Sequence, residues 1–254
     1  MKERSNERMV IATMRPLTLA ALLLAAGSTL AAQAAPSTTP KKTLTLDVGF
    51  VNASGNSDFT SANFGEKATW SMNGWGFTQG AKALFGKTNG TRTAESYDVT
   101  ARAERALSST IGVFVGGEFQ RDPFAGLASR WSGGPGIGIA LVHTKQDSLG
   151  VESALTEQKE RGTDGVSQSF AATRSAVFFR HALTGAAAIS EGVVWDQNLK
   201  TGDDYRLNSE TALIAPLSKK IGLRVSYLVR FDNQPEPGFK KSDRILTTGI
   251  QIAM

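Results

Sequence analysis

The segment from residue 221 to residue 232 alternates between apolar and polar side chains along its whole length. One set of alternate positions is wholly apolar: Ile221, Leu223, Val225, Tyr227, Val229 and Phe231. The set between them includes Arg224, Ser226 and Arg230. Successive side chains of a β-strand point to opposite faces, so this pattern predicts a strand with one apolar face and one mostly polar face.

The same alternation recurs through most of the chain, and no segment holds a helical period. It predicts strands near 44–53, 58–71, 75–86, 91–105, 110–121, 131–142, 148–158, 168–181, 187–199, 204–215, 219–232 and 243–254. Two of these segments fit less well. Asn63, Glu66 and Lys67 interrupt the alternation in segment 58–71, and Glu191 shares the apolar face of segment 187–199. A β-bulge is expected there to restore the alternation, and ten strands is the alternative count.

Strand length separates a soluble sandwich from a membrane barrel. Sandwich strands usually have about 5–6 residues, whereas strands that cross a membrane have about 9–11. The ten steps from Trp75 to Phe85, at ~3.3 Å each and ~40° of tilt, span roughly 25 Å, the height of the apolar band of such barrels. We therefore predict an all-β fold, a transmembrane antiparallel up-and-down β-barrel of about twelve strands, with its apolar face against lipid.

The polar faces of the strands then line the lumen, where an arginine avoids the ~2–4 kcal/mol that it costs at mid-depth on the lipid face. The candidate lumen-lining residues are Asp47, Lys82, Asp98, Arg102, Glu104, Glu118, Glu152, Arg174, Arg206, Glu210, Arg224 and Arg230. If these charges pair with one another, the lumen is closed or narrow and the network is structural, which is the interpretation we favour. If the arginines form an unpaired ladder, the barrel is a narrow, weakly anion-selective solute channel.

An even number of strands puts both termini on the periplasmic side of a bacterial outer membrane. Short periplasmic turns are predicted at 73–74, 108–109, 144–147, 183–186 and 217–220. Longer outward loops are predicted at 159–166, 200–204 and 233–242.

The N-terminal region reads as a targeting segment. The stretch LTLAALLLAAGSTLAAQAAPS begins at Leu17 with an apolar core and continues into small residues around Ala34. It predicts a secretory signal peptide at 1–34, cleaved after Ala34 or one residue later, with translation starting at Met1 or Met14. A flexible periplasmic lead-in follows at 35–42, and the barrel occupies 43–254.

Charge and composition exclude several function classes. The leader carries +2 of the formal net charge of +5, so the mature chain holds only about +3, and it lacks the basic stripe that nucleic-acid binding requires. With no cysteine and two histidines, we expect no metal site and no cofactor. His143 lies near Asp147 and Ser148 in the sequence, but in a short turn without an orienting group, so we expect no enzyme. Asp203 and Asp204 read as a solvated turn rather than a calcium site.

Three segments together resemble a known family. They are VNASGNSDFTSANF at 51–64, GEFQRDPFAGLASRWSGGPGIGIAL at 117–141 and SYLVRFDNQPEPGFKKSDRILTTGIQIAM at 226–254. They are similar to the YdiY-like family of outer-membrane proteins described as salt-induced, itself catalogued as a domain of unknown function. The resemblance implies an outer-membrane barrel linked to salt or osmotic stress, and it carries no catalytic residues. Its partners are outer-membrane lipid and, during biogenesis, the assembly machinery; no specific protein partner is inferred. Members end on an aromatic residue, whereas this chain ends on Met254.

The alternation predicts that neighbouring residues face different media. Spin labels on the variants Val225→Cys and Ser226→Cys can be placed singly, because the chain has no cysteine of its own. In lipid vesicles, oxygen dissolved in the bilayer should relax the label at position 225 and leave the label at position 226 much less affected. Equal relaxation of both labels by oxygen would show that the predicted register of this strand is wrong.

Overall fold

The computed structural model describes residues 42–53, 59–183 and 187–254. The predicted signal peptide and nearly all of the lead-in lie outside these residues. The strands are β1 (Thr43–Ala53), β2 (Phe59–Met72), β3 (Trp75–Thr88), β4 (Thr91–Ala106), β5 (Ile111–Asp122), β6 (Leu127–His143), β7 (Asp147–Gly162), β8 (Ser167–Ala182), β9 (Ala188–Asn198), β10 (Tyr205–Pro216), β11 (Ile221–Asp232) and β12 (Ser242–Ala253). A 3₁₀ turn, Pro123–Ala125, lies between β5 and β6. Among the described residues, no helix is long and apolar enough to cross a membrane.

The strands form a closed antiparallel barrel in which each strand pairs with the next and β1 pairs with β12. The twelve-strand prediction is confirmed, and the ten-strand alternative is wrong. At the closing seam the register runs from Thr45 opposite Ala253 to Val48 opposite Ile250. Leu44 and Met254 extend the seam through two backbone hydrogen bonds of 3.0 and 2.8 Å. Closure leaves no sheet edge, which is what a spanning sheet requires in lipid.

The two ends of the barrel differ in their connections. The turn end carries the first residue of β1, the last residue of β12 and the turns at 73–74, 107–110, 144–146 and 217–220. The opposite, loop end carries the connections 89–90, 123–126, 163–166, 199–204 and 233–241. Asn73 and Gly74 have φ values of 53° and 78°, the left-handed conformation that a two-residue hairpin of this type needs. The predicted turn at 183–186 lies largely outside the described residues.

The predicted outward loop at 159–166 is wrong in its extent. Strand β7 continues to Gly162, and Lys159 and Arg161 pair with Ser169 and Ser167 of β8. The apolar run on the outer face of β7 ends at Leu155, and the outward side chains beyond it are charged and exposed. The change from apolar to charged outward side chains after Leu155 therefore marks the level at which the apolar band ends. The hydrogen-bonded strand continues beyond that level.

The two segments with disturbed alternation contain no bulge, so that expectation is wrong. Strand β2 keeps one register with both neighbours, and so does β9; the shifts lie elsewhere in β3–β7. Glu66 and Glu191 simply stand on the outer face. Gln79 of β3 donates to the Glu66 carboxylate. Two hydroxyl groups of β10, those of Ser209 (2.7 Å) and Thr211, donate to the Glu191 carboxylate. Hydrogen bonds to neighbours on the same face thus satisfy each outward carboxylate.

Between the two ends of the barrel, the outer face is otherwise mostly apolar and exposed. Aromatic side chains gather on it near both ends. Toward the turn end, Trp70 stacks on Phe77 with ring centroids 5.5 Å apart. Toward the loop end, contacts join Phe85 to Tyr97, Phe119 to Trp131, and Tyr205 to both Trp195 and Phe231. An exposed apolar surface that surrounds the whole barrel needs an apolar partner, because soluble monomers rarely expose patches of this size.

Closure of the sheet predicts a distinctive electrophoretic behaviour. Detergent-solubilised protein should migrate differently before and after boiling, because the closed ladder resists sodium dodecyl sulfate until heat opens it. Gel electrophoresis of paired samples measures this directly. Identical mobility of both samples, together with a monomer that stays soluble without detergent, would contradict a membrane barrel.

Candidate functional site in the barrel lumen

Arg102 of β4 reaches across the lumen to β7, three strands away. Its two terminal nitrogens donate to the two carboxylate oxygens of Glu152 at 2.8 and 2.9 Å, and its Nε donates to Glu104 at 2.9 Å. The guanidinium lies 3.6 Å from the ring centroid of Phe114 on β5. A planar fork that matches a carboxylate is the strong form of an ion pair. Gly136, opposite Phe114 on β6, leaves the room that this ring occupies.

Arg174 of β8 makes a second connection across the lumen. It binds Asp196 of the neighbouring strand β9 at 3.0 and 3.1 Å, and it lies 3.5 Å from the carboxylate of Glu118 on β5. Gln120 donates to Glu118 at 2.6 Å and to Asp98 of β4 at 3.1 Å. Arg174 thus contacts two carboxylates directly. The amide of Gln120 links this group to a third carboxylate, that of Asp98.

A third group of contacts lies toward the loop end. The Glu160 carboxylate of β7 accepts a hydrogen bond from Arg130 of β6 at 2.7 Å and another from Arg206 of β10 at 3.0 Å. Arg206 also donates to Gln158. Arg230 of β11 lies 3.3 Å from Asp122 on β5, on the opposite side of the barrel.

Strand β11 also carries the inward arginine nearest the seam. Arg224 donates to Glu210 of β10 and lies 3.7 Å from Asp47 of β1. Lys82 of β3 faces the same region, and its Nζ is buried without a hydrogen-bond partner in the part of the chain that the structure describes. Ser226, predicted to face the lumen, is buried beside these groups.

The structure thus places all twelve candidate residues on the interior side and joins most of them in ion pairs. The candidate list leaves out further interior charges, among them Lys67, Asp122, Arg130, Glu160 and Asp196. Asp122, Arg130 and Glu160 fell outside the predicted strand bounds. Lys67 and Asp196 lie on the two strands whose alternation was disturbed, although parity on the observed strands assigns both to the interior.

The lumen also contains apolar side chains. Leu84, Ala94, Leu228 and Ile245 form one buried cluster among β3, β4, β11 and β12. Ala176, Phe178 and Val194 form another on β8 and β9. Strand β8 is apolar on both faces around Phe178, so alternation could not reveal which of its residues point inward.

Three cavities follow one another along the barrel axis. The loop-end cavity, of about 150 Å³, and the middle cavity, of about 180 Å³, share Glu118 and Arg174 in their walls. The middle cavity and the turn-end cavity, of about 50 Å³, share Arg102 and Glu152. Two of the ion pairs that cross the lumen, Arg174–Glu118 and Arg102–Glu152, therefore stand at the boundaries between successive cavities.

The longest described loop, 233–241, folds across the loop end of the barrel. Phe239 and Glu236 of this loop lie against Gly126, where a Cβ atom would come within 2.9 Å of the Phe239 ring and 3.0 Å of the Glu236 Cβ. Gly126 also has a φ of 83°. Partial burial and the neighbouring Asp164 carboxylate raise the pKa of Glu236. Asp122 accepts a hydrogen bond from Ala125 at 3.2 Å and so caps the turn that positions Gly126. These contacts give a physical reason for two residues of the Asp-Pro-Phe-Ala-Gly-Leu segment. Asp122 caps the turn, and Gly126 leaves the space that the 233–241 loop occupies.

The structure separates the residues considered for serine-type chemistry. Asp147 pairs with His181 at 2.7 Å rather than with His143. His143 lies opposite Ser148, and both line the turn-end cavity. In the described residues, no hydrogen bond joins Ser148 to either histidine, and no cluster of three or more potential metal ligands is found. Asp204 is buried and accepts from Asn198 at 2.7 Å, so the solvated turn expected at 203–204 is wrong for this residue.

The fold and its interior define a twelve-stranded antiparallel barrel with an apolar outside and an ion-paired inside. The chain belongs to the family described as "Protein of unknown function, DUF481", whose model matches residues 46–253. It is 24% identical over 217 residues to the uncharacterized protein YdiY of Escherichia coli strain K12, covering 82% of each chain. The YdiY-like assignment is therefore confirmed.

Solved structures in which the backbone follows a similar path include two β-barrels. The KdgM porin in complex with disordered oligogalacturonate is 9% identical, with a TM-score of 0.48 over 84% of this chain and 98% of that chain. The translocator domain of the autotransporter NalP from Neisseria meningitidis is 10% identical, with a TM-score of 0.45 over 85% of this chain and 88% of that chain.

The position of Arg174 predicts a large effect on stability. The variant Arg174→Met should lower the free energy of unfolding by roughly 3–5 kcal/mol, because it leaves the carboxylates of Glu118 and Asp196 inside the barrel without their cation. The matched control is Arg180→Met on the same strand, at an exposed position, where a change of about 0.5 kcal/mol or less is expected. Urea titration in lipid vesicles measures both, and equal losses would contradict the assigned role of Arg174.

Proposed function

We propose that this protein is an integral β-barrel of the bacterial outer membrane whose lumen is closed to ions at rest. The observation that carries the proposal is the pair of arginine–carboxylate connections, Arg102–Glu152 and Arg174–Glu118, between successive cavities of the lumen. A through-going water path would have to pass both.

The apolar outer face supports the membrane location. Side chains such as Phe50, Val115 and Leu213 are exposed on it, and aromatic pairs border it at both ends. Lipid is the partner that such a band fits, and aromatic side chains are favoured where the apolar band meets the headgroups. Outer-membrane assembly factors are the partners that biogenesis of such a barrel implies.

The interior apolar clusters support the closed state. Leu84 and Leu228 are each 2% exposed although they lie inside the barrel, so neighbouring side chains cover them on the lumen side. An open aqueous channel would instead leave its wall hydrated. Twelve strands enclose a lumen intermediate between the filled eight-stranded barrels and the open sixteen-stranded porins, and here side chains occupy much of it.

The proposed role is structural rather than catalytic, and the family resemblance links it to salt or osmotic stress. A barrel closed by ion pairs can be abundant in the outer membrane without adding to its permeability. This property suits a protein made when external salt is high. Buried pairs are screened much less than exposed ones, so the closure persists at high ionic strength.

The second candidate function is a narrow anion-preferring conduit, favoured by the alignment of the three cavities along the axis. Opening it would require the Arg102 and Arg174 side chains to leave their carboxylates. The conducting path would then carry freed guanidinium groups, and rings of positive charge select anions.

Planar-bilayer recording separates the two functions. The folded protein should show no discrete conductance. The fourfold variant Arg102→Ser, Glu118→Ser, Glu152→Ser, Arg174→Ser, checked for folding by its heat-dependent mobility, should conduct, because both boundaries lose their bridging side chains. Discrete anion-preferring conductance of the unmodified protein, reduced by Arg102→Ser alone, would overturn the closed lumen and establish the conduit.

A further inference from the structure

We propose that the middle cavity binds a small monocarboxylate with a compact apolar body about the size of a benzene ring. Lys67 holds the carboxylate, and the apolar wall formed by β8 and β9 receives the body. This inference rests on the proposed function only in that the two ion-pair boundaries stand at the two ends of the cavity.

Among the described charged side chains that line the middle cavity, Lys67 is the one that forms no hydrogen bond or ion pair. The described charged side chains that line the cavity are Lys67, Arg102, Glu118, Glu152 and Arg174. Arg102 holds Glu152, and Arg174 holds Glu118. Lys67 makes no hydrogen bond or ion pair with any described residue, and the carboxylate that attracts its ammonium group, Glu104, is already bound by Arg102. An anion that supplied a carboxylate would form a charge-assisted hydrogen bond with Lys67 inside the lumen.

The strands beside Lys67 bring a second hydrogen-bond donor to the wall of the cavity. In the row of inward positions, Lys67 of β2 lies opposite Gly80 of β3, which lies opposite Thr100 of β4. A Cβ atom at Gly80 would come within 3.0 Å of the Thr100 hydroxyl oxygen. Because Gly80 has no side chain, the Thr100 hydroxyl lies in the space that a Cβ atom would need, and no side chain stands between this hydroxyl and Lys67 in the row. Both groups line the cavity, and together they match the two oxygens of a carboxylate.

The opposite wall is apolar. Ala176, Phe178 and Val194 line the cavity from β8 and β9, about half-way around the barrel from β2. Ala154 extends this wall on β7, and Phe114 closes one side under Arg102. A ligand that spans the lumen would thus meet a cation at one end and carbon surface at the other.

The size of the cavity limits the ligand. An apolar protein cavity of about 150 Å³ holds one benzene molecule, and the middle cavity has about 180 Å³. A ring or a branched chain of five to six carbons with one carboxylate fits this space. An oligosaccharide or a nucleotide does not.

The test uses 4-fluorobenzoate and its neutral counterpart 4-fluorobenzyl alcohol, titrated into the detergent-solubilised full barrel and followed by fluorine NMR. The unmodified protein should bind 4-fluorobenzoate saturably. Lys67→Met should weaken 4-fluorobenzoate binding at least about tenfold and change binding of the alcohol by less than about twofold, as expected when a charged hydrogen bond is lost. Ala176→Phe, which fills the cavity from the apolar wall, should abolish binding of both probes.

Lys82→Met is the matched control, because Lys82 is also an inward lysine, on the adjacent strand, but lies outside the middle cavity. It should leave both affinities within about twofold. Heat-dependent mobility on a gel checks that each variant is folded. The proposal is overturned if the folded barrel shows no saturable binding, if Lys67→Met and Lys82→Met weaken binding equally, or if Ala176→Phe leaves binding intact.

Binding and conductance can fail separately. A barrel that conducts ions and still binds 4-fluorobenzoate through Lys67 contradicts the closed lumen and upholds the site. A barrel that shows no conductance in planar bilayers and does not bind 4-fluorobenzoate upholds the closed lumen and contradicts the site.

Discussion

An arginine that points into a barrel of this width must meet a carboxylate, and here the carboxylate often stands on a distant strand. Arg102 spans from β4 to β7, Arg174 from β8 to β5, and Arg230 from β11 to β5. An unpaired guanidinium inside would lose much of its hydration without compensation. Pairing within the lumen therefore ties opposite walls together, divides the interior into cavities, and leaves Lys67 as the exception in the wall of the middle cavity.

Much of the fold could be predicted from the sequence because a strand has a period of two. On β11, parity alone assigns Arg224 and Arg230 to the interior and Val225 to the outside, and the observed ion pairs of both arginines agree with it. Parity does not give the height or the partner of an inward residue. These depend on how neighbouring strands are staggered around the closed sheet, so the contact between Arg102 and Glu152 was not predictable from their spacing of 50 residues.

The errors in the loop at 159–166 and in the expected bulges share one physical cause, which is the use of outward polarity to infer backbone structure. Charged outward residues on β7 suggested a loop, yet the hydrogen-bonded ladder continues to Gly162. Outward Glu66 and Glu191 suggested bulges, yet amide and hydroxyl groups on the same face satisfy them. A carboxylate costs less than an arginine or lysine on the lipid face, and these neighbours lower the cost further. Closure of the sheet determines which backbone residues pair, whereas the surrounding medium determines where outward side chains are apolar.

The coupling between Arg102 and Glu152 tests the account most directly, because these side chains make a bidentate contact across the lumen. A double-mutant cycle with Arg102→Met and Glu152→Gln, from unfolding titrations in lipid vesicles, isolates their interaction. If the two side chains pair as described, the double variant should lose at least about 1 kcal/mol less than the sum of the two single losses. Strictly additive losses would show that the two side chains do not interact, and the ion-paired lumen would be contradicted.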